Sequence, residues 1–257
     1  MSETSEKKTR PGHFVWRELM STDPAAAKAF YGGLFGWTFE EAPMPSGSYT
    51  LIKTEQGQIG GLTDLMPGAP PMSCWASFIS VDDVDATAAK VSAHGGRLHV
   101  PPSDIPGVGR FAVFADPAGA VANLLRLADG DPEAPERPPL HSFCWETLNT
   151  DDVPKALDFY REVIGWNVVS GPSNMAVFAA GETQVADVET APPGPGPHWL
   201  THVVVANLGA SREKAVALGG SILMGEVPIP EIGTLCIIQD PTGAVLSMFE
   251  PASRPAA

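Results

Sequence analysis

Cysteine is scarce in this sequence, basic residues are outnumbered, and no long apolar run occurs. The three cysteines, Cys74, Cys144 and Cys236, have no CxxC spacing, and each sits inside an apolar run. That pattern sets aside a disulfide framework or thiolate metal centre in favour of buried, reduced thiols. Sixteen Lys and Arg stand against thirty Asp and Glu, a net charge of −14. Nucleic acid and anionic membrane surfaces, which need a basic footprint, are excluded as partners. No stretch approaches the ~20 apolar residues that span a bilayer. The opening MSETSEKKTRP lacks the apolar centre of a signal peptide, so a cytoplasmic protein is expected. GxSxG, P-loop and GxGxxG motifs are also missing, and the AHGG and ALGG turns read as helix stops.

What is present is a sentence written twice. Residues 14–37 read FVWRELMSTDPAAAKAFYGGLFGW, and residues 143–166 read FCWETLNTDDVPKALDFYREVIGW. Phe30-Tyr31 and Gly36-Trp37 match Phe159-Tyr160 and Gly165-Trp166 at a spacing of 129. Farther on, Trp75, Ile105-Pro106 and Asp116-Pro117-x-Gly119 match Trp199, Ile229-Pro230 and Asp240-Pro241-x-Gly243 at 124. The five lost residues fall in loops, where length changes cheaply. All six tryptophans pair as 16/145, 37/166 and 75/199. A duplicated domain follows, with copies at 12–128 and 140–251. A disordered lead (1–11), a Pro-rich charged linker (129–139, DGDPEAPERPP) and a tail (252–257) surround them.

Each copy alternates strand and helix patterns. FVWREL and FCWETL read as strands, each followed by a capped helix start at Asp23-Pro24 and Asp152 to Pro154. Ala26, Phe30, Tyr31 and Leu34 form an apolar stripe that Gly36 ends. Further strands (YTLIKT, QIGGLTDL, CWASFISV), a second helix (VDATAAKVSAHGG) and three closing strands complete the copy. The expected fold class is α+β, with four βαβββ units in tandem.

The strand–DP–helix–FY–GW opening and the DPxG–apolar strand close, recurring in order in both copies, resemble the vicinal oxygen chelate superfamily of glyoxalase I, extradiol dioxygenases and bleomycin-resistance proteins. The resemblance covers nearly the whole chain. It implies paired units curling into two open mixed-sheet barrels with helices outside, and a cavity that must be argued residue by residue.

Metal-dependent members of that superfamily carry His or Glu at four positions on the concave face, leaving open sites for two neighbouring substrate oxygens. By the resemblance, the first lies fifteen residues before the helix tyrosine, at Trp16 and Trp145. The ligand opening the second unit falls on Ala76 and Leu200, and the final one on Asn123 and Ser247. The remaining position offers Gly60 or Gly61 in one copy and Ala186 or Asp187 in the other. None of the six registered positions is His, Glu or Asp, so no metal and no cofactor are expected. The six histidines form no alternative cluster. His198 and His202 lie four apart on a strand, roughly 13 Å, too far for one ion.

Strand alternation places Phe14, Trp16 and Glu18 on one face, with Ala76, Phe78 and Ser80, and Val121, Asn123 and Leu125. Their counterparts are Phe143, Trp145 and Thr147; Leu200, His202 and Val204; and Val245, Ser247 and Phe249. Such aromatic pockets with a few polar groups suit a flat, mostly apolar small molecule. The expected ligand-binding residues are Trp16, Phe78, Asn123, Trp145, Thr147 and Ser247. Core packing is the competing role for the same aromatics. The expected activity is metal-free binding of a planar small molecule, in detoxification or secondary metabolism, by a monomer or homodimer. The alternative is a metal-independent lyase, isomerase or hydroxylase-like enzyme with Glu18 or His202 as general base. A third reading closes both pockets and leaves only an outer surface for a protein partner.

Overall fold

The computed structural model describes residues 8–44, 47–65, 71–135 and 137–252, without side chains at 44, 47, 48 and 173. Most of the expected lead and tail lie outside the described residues. The first copy runs β1 (Phe14–Ser21), α1 (Pro24–Phe35), β2 (Thr38–Met44), β3 (Gly47–Thr54), β4 (Gly57–Asp64), β5 (Cys74–Ser80), α2 (Val84–Ala93), β6 (Arg97–Ile105), β7 (Gly109–Ala115) and β8 (Val121–Leu127). The second repeats the order as β9 (Phe143–Thr150), α3 (Val153–Val163), β10 (Asn167–Ser170), β11 (Ala176–Ala180), β12 (Thr183–Thr190), β13 (His198–Val204), α4 (Leu208–Ala217), β14 (Ser221–Ile229), β15 (Gly233–Gln239) and β16 (Val245–Pro251).

Local chemistry explains the helices. Asp23 and Asp152 cap α1 and α3, each accepting a hydrogen bond from a backbone N–H three residues on. Proline follows within the first turn of both, where its missing N–H costs nothing. Gly36 closes α1 at φ 73°, a left-handed geometry that glycine adopts without a Cβ penalty. His94 is the C-cap of α2.

The strands form two open eight-stranded sheets, ordered β2-β3-β4-β1-β5-β8-β7-β6 and β10-β11-β12-β9-β13-β16-β15-β14. Each sheet therefore belongs to one copy, and the α+β tandem architecture is as expected. Within each, β1–β4 and β5–β8, or β12–β9 and β13–β16, pair in parallel, and the hairpins pair antiparallel.

The hydrophobic cores sort the same modules differently. One compact unit takes the chain up to Val15, Ser77–Ala134 and Glu146–Trp199, and the other Trp16–Ala76, Pro135–Trp145 and Leu200 onward. In the first, α2 and α3 share a core that includes Val91, Phe114, Phe159, Tyr160 and Trp166. In the second, α1 helps build a core that includes Phe30, Tyr31, Trp37, Ile238 and Met248.

Within each unit the repeated motifs meet. In the first unit, the DPxG aspartate of one copy meets the helix tyrosine of the other. Asp116 accepts backbone N–H groups from Ala118, Gly119 and Ala120 at 2.8–3.0 Å and the Tyr160 hydroxyl at 3.3 Å. In the second unit the Asp240 carboxylate lies beside Tyr31. Four tryptophans serve the same cores. Trp75 and Trp199 donate to the hydroxyls of Tyr31 and Tyr160 at 3.0 Å. Trp37 and Trp166 donate to backbone carbonyls of His141 and Gly12. Buried indoles keep a partner for their N–H, which is why Trp75 and Trp199 recur together with Tyr31 and Tyr160.

The described end of the lead is held in place. In the first unit, Asp131 of the linker accepts from Arg10 N and from Ser80 Oγ, both at 2.6 Å, and its own N–H reaches Lys8 O. No helix among the described residues is long and apolar enough to cross a membrane.

Candidate functional site

On β1, residues alternate between two environments. Leu19 is fully buried in the helix-side core with Ile52 and Leu62. Trp16 and Glu18 take the opposite face and stay partly accessible. Parallel pairing sets Glu18 directly across from Gly61. From β3, Tyr49 reaches over that glycine. A Cβ built on Gly61 would run into the Tyr49 hydroxyl and its ring carbon Cζ, so the phenol takes the space a side chain at 61 would need.

The result is a directed chain. Trp16 Nε1 donates to the Tyr49 hydroxyl at 2.9 Å, which in turn donates to Glu18 Oε2 at 2.7 Å. Burial raises the Glu18 carboxyl above its usual range, and the Tyr49 hydrogen bond pulls part of that back. Burial and the neighbouring carboxylate keep Tyr49 a neutral phenol. Cys74, at the start of β5, feels the same surroundings, its thiol pushed up by burial first and Glu18 second.

The second copy answers each position with another residue. Thr147 stands where Glu18 does, and Asp187 pairs across from it where Gly61 does. Thr147 Oγ1 donates to Asp187 Oδ1 at 2.8 Å, with both residues buried. Ala176 pairs with Val188 as Thr50 pairs with Leu62, so Met175 occupies the place of Tyr49. The copies have thus put their carboxylate on opposite strands of one ladder.

The remaining expected residues fall into separate pairs. Phe78 and Asn123 are register partners. Both are buried, and Asn123 Nδ2 donates to Ser77 O at 3.2 Å. His202 and Ser247 are likewise partners on β13 and β16, at 4% and 0% exposure. Burial lowers the His202 pKa to about 4, so the ring is neutral at physiological pH. Trp145 is partly exposed. Phe14 and Phe143, placed by alternation beside Trp16 and Trp145, pack instead in the aromatic cores. Phe14 lies 5.3 Å from Trp199 and 5.8 Å from Trp166, and Phe143 lies 5.3 Å from Trp75 and 5.5 Å from Trp37, between ring centroids. Strand twist turns these first strand residues away from the face their parity implies.

Of the alternatives left open by sequence at the remaining metal position, the register puts Gly61 and Asp187 on the face of Glu18 and Thr147. The four implied positions therefore hold Trp16, Gly61, Ala76 and Asn123 in one copy and Trp145, Asp187, Leu200 and Ser247 in the other. One carboxylate in eight positions is no chelating set for a divalent ion, and these residues do not fit the metal. Among the described residues, no cluster of three His, Cys, Asp or Glu side chains has the geometry to hold one.

Tyr49 was missed by sequence reasoning. Its signal lay in the duplication, since a tyrosine that becomes methionine in the other copy is not serving the shared fold.

Known proteins share this architecture. The model of the Glyoxalase/Bleomycin resistance protein/Dioxygenase superfamily matches residues 10–124 and 141–248. CFP32 of Mycobacterium tuberculosis, which carries a provisional glyoxylase name, is 33% identical over 254 residues, 95% of this chain and 97% of that protein. The anthracycline biosynthesis protein DnrV of Streptomyces peucetius is 32% identical over 260 residues, 93% of this chain and 94% of that one. Among solved structures, the Mn(II)-bound glyoxalase from Novosphingobium aromaticivorans superposes with a TM-score of 0.62 at 16% identity, over 95% of this chain and 83% of that one. The 2,3-dioxygenase LapB from Pseudomonas sp. KL28 gives 0.61 at 13%, over 97% and 94%. At those identities the structures share the fold.

Proposed function

The chain belongs to the glyoxalase/bleomycin resistance protein/dioxygenase superfamily, and within it we propose a protein that binds a flat, largely apolar small molecule through its first copy, without a metal. The observation that carries this reading is the Trp16–Tyr49–Glu18 chain. An indole held at its N–H offers a fixed aromatic face for stacking, and a carboxylate beside it gives the ligand one polar anchor. In the second copy, Thr147, Asp187, His202 and Ser247 are all buried, and Thr147 spends its hydroxyl on Asp187. On this reading each chain carries one site. A cytoplasmic setting suits three cysteines left outside any disulfide. The name of DnrV supports a ligand of this shape, since anthracyclines are fused flat rings, and it favours a role in secondary metabolism or detoxification.

Calorimetry with fused-ring aromatics such as 2-naphthol tests the reading. We expect one site per chain and binding that survives dialysis against EDTA. Saturation at a hundred times Kd should raise Tm by roughly 5–10 °C. Trp16→Ala should abolish the shift. Loss of binding on EDTA treatment would overturn the metal-free part, and no binding of any flat probe would overturn the whole.

A second reading has its own support in the raised Glu18 carboxyl, which is the property of a general base or acid in a lyase or isomerase. On that reading Glu18→Gln abolishes turnover of a substrate while leaving its Kd within about threefold, measured by calorimetry beside steady-state kinetics. His202 contributes less to it, because a ring at 4% exposure has little access to a ligand.

A further inference from the structure

Hydrogen-bond direction at the site is fixed by the residues themselves. An indole N–H can only donate, and a phenol carries one hydrogen. Trp16 gives its hydrogen to Tyr49, so Tyr49 must turn its own toward Glu18, as the 2.7 Å contact to Oε2 shows. Both of these donors are therefore committed before any ligand arrives. Among the described residues, Glu18 Oε1 carries no hydrogen bond. The thiol of Cys74, a weak donor, lies within the electrostatic reach of Glu18.

We infer that this site selects flat ligands carrying a hydrogen-bond donor at the ring edge, an aromatic hydroxyl or ring N–H, and discriminates against ethers and ketones of the same shape. The inference rests on the flat-ligand reading above and names the ligand class of that site. Glu18 Oε1 is the acceptor that meets the donor. Tyr49 acts as the positioning residue, because its hydrogen pins Oε2 and leaves Oε1 for the ligand. A ligand with only acceptors would set oxygen against oxygen while stripping water from the carboxylate, the costly arrangement for a partly buried group.

Three naphthalenes of nearly equal size separate shape from polarity: 2-naphthol, 2-methoxynaphthalene and 2-acetylnaphthalene. For the full-length protein, calorimetry should show 2-naphthol binding about tenfold to a hundredfold more tightly than either other probe. Glu18→Gln keeps the shape and reverses the polarity. Tyr49 then donates to the amide oxygen, leaving the NH2 group facing the ligand, so 2-acetylnaphthalene should overtake 2-naphthol. Tyr49→Phe unpins the carboxylate and should shrink the preference of the wild-type site to within about threefold.

Equal affinity of the wild-type protein for 2-naphthol and 2-methoxynaphthalene would overturn donor selection and leave the flat-ligand reading standing. A Glu18→Gln protein that binds all three probes more weakly by one common factor would overturn it as well, since a merely structural carboxylate predicts that result. If none of the three binds, both readings fail together.

Discussion

Replacing Gly61 with alanine is expected to cost ligand affinity about tenfold to a hundredfold while leaving the fold intact. The new methyl has nowhere to go except the space of the Tyr49 hydroxyl and Cζ. The phenol is the end of a side chain and can swing away, so the backbone need not move. Its departure breaks the hydrogen bonds from Trp16 and to Glu18 together, removing the fixed indole face and the pinned carboxylate in one step. It also removes the contact that holds the Glu18 carboxyl down against burial, so its pKa should climb further, measurable as a shift in the pH profile of binding. Gly61 has an ordinary backbone conformation, and elsewhere in a strand a Gly→Ala change stabilises by roughly 0.5–1 kcal/mol. The sign therefore separates the mechanisms. In a Tyr49→Met background, which copies the Met175 of the other half, Gly61→Ala should be neutral or stabilising. In the wild-type background it should be destabilising by about 1 kcal/mol. Urea unfolding of the four proteins gives the coupling directly. Additive effects across the cycle would mean that Tyr49 does not occupy the space over Gly61.

How far the sequence carried this conclusion differs from residue to residue. The duplication, the helix caps and the βαβββ order were legible because they are local: an aspartate before a proline, a glycine after an apolar stripe. The assignment of tryptophans was not. Trp16 and Trp75 both sit in alternating strands, and nothing in their immediate neighbours tells which faces a helix core. The deciding partners, Tyr31 for Trp75 and Tyr49 for Trp16, lie 44 and 33 residues away in the chain. The fourth metal position resisted counting because β4 follows hairpins of different length in the two copies. Only the ladder pairing of Glu18 with Gly61, and of Thr147 with Asp187, fixes it. Phe14 shows the limit of parity. It lies in the compact unit with α2 and α3, while Trp16, two residues on, lies in the one with α1. Alternation describes a flat strand, and twist at its end is enough to send Phe14 into a core instead.

Stability at acid pH should reveal how His202 is held. Its pKa is lowered to about 4 by burial, against roughly 6.5 for an imidazole in an unfolded chain. Above pH 6.5 neither state is protonated there, and the stabilisation from holding a neutral ring is fully present. Between 6.5 and 4 the unfolded chain takes up a proton that the folded protein refuses, so stability falls as pH falls. Below 4 both are charged and the contribution is gone. The full difference is about 3 kcal/mol, most of it lost by pH 4.5. The first copy places Phe78 at this point of the ladder, opposite Asn123 as His202 is opposite Ser247. His202→Phe should therefore be tolerated and should flatten the profile: the drop in unfolding free energy from pH 7 to pH 4.5 becomes smaller by roughly 2–3 kcal/mol. His202→Gln serves if the larger ring overpacks, since it also cannot titrate in that window. Comparing the change with pH, and not the stability at one pH, cancels the packing cost of either substitution. If both variants keep the parent's pH dependence, His202 ionises in the folded protein near its ordinary pH. An imidazole that takes up a proton so readily has water or an acceptor within reach, which a fully buried neutral ring does not need.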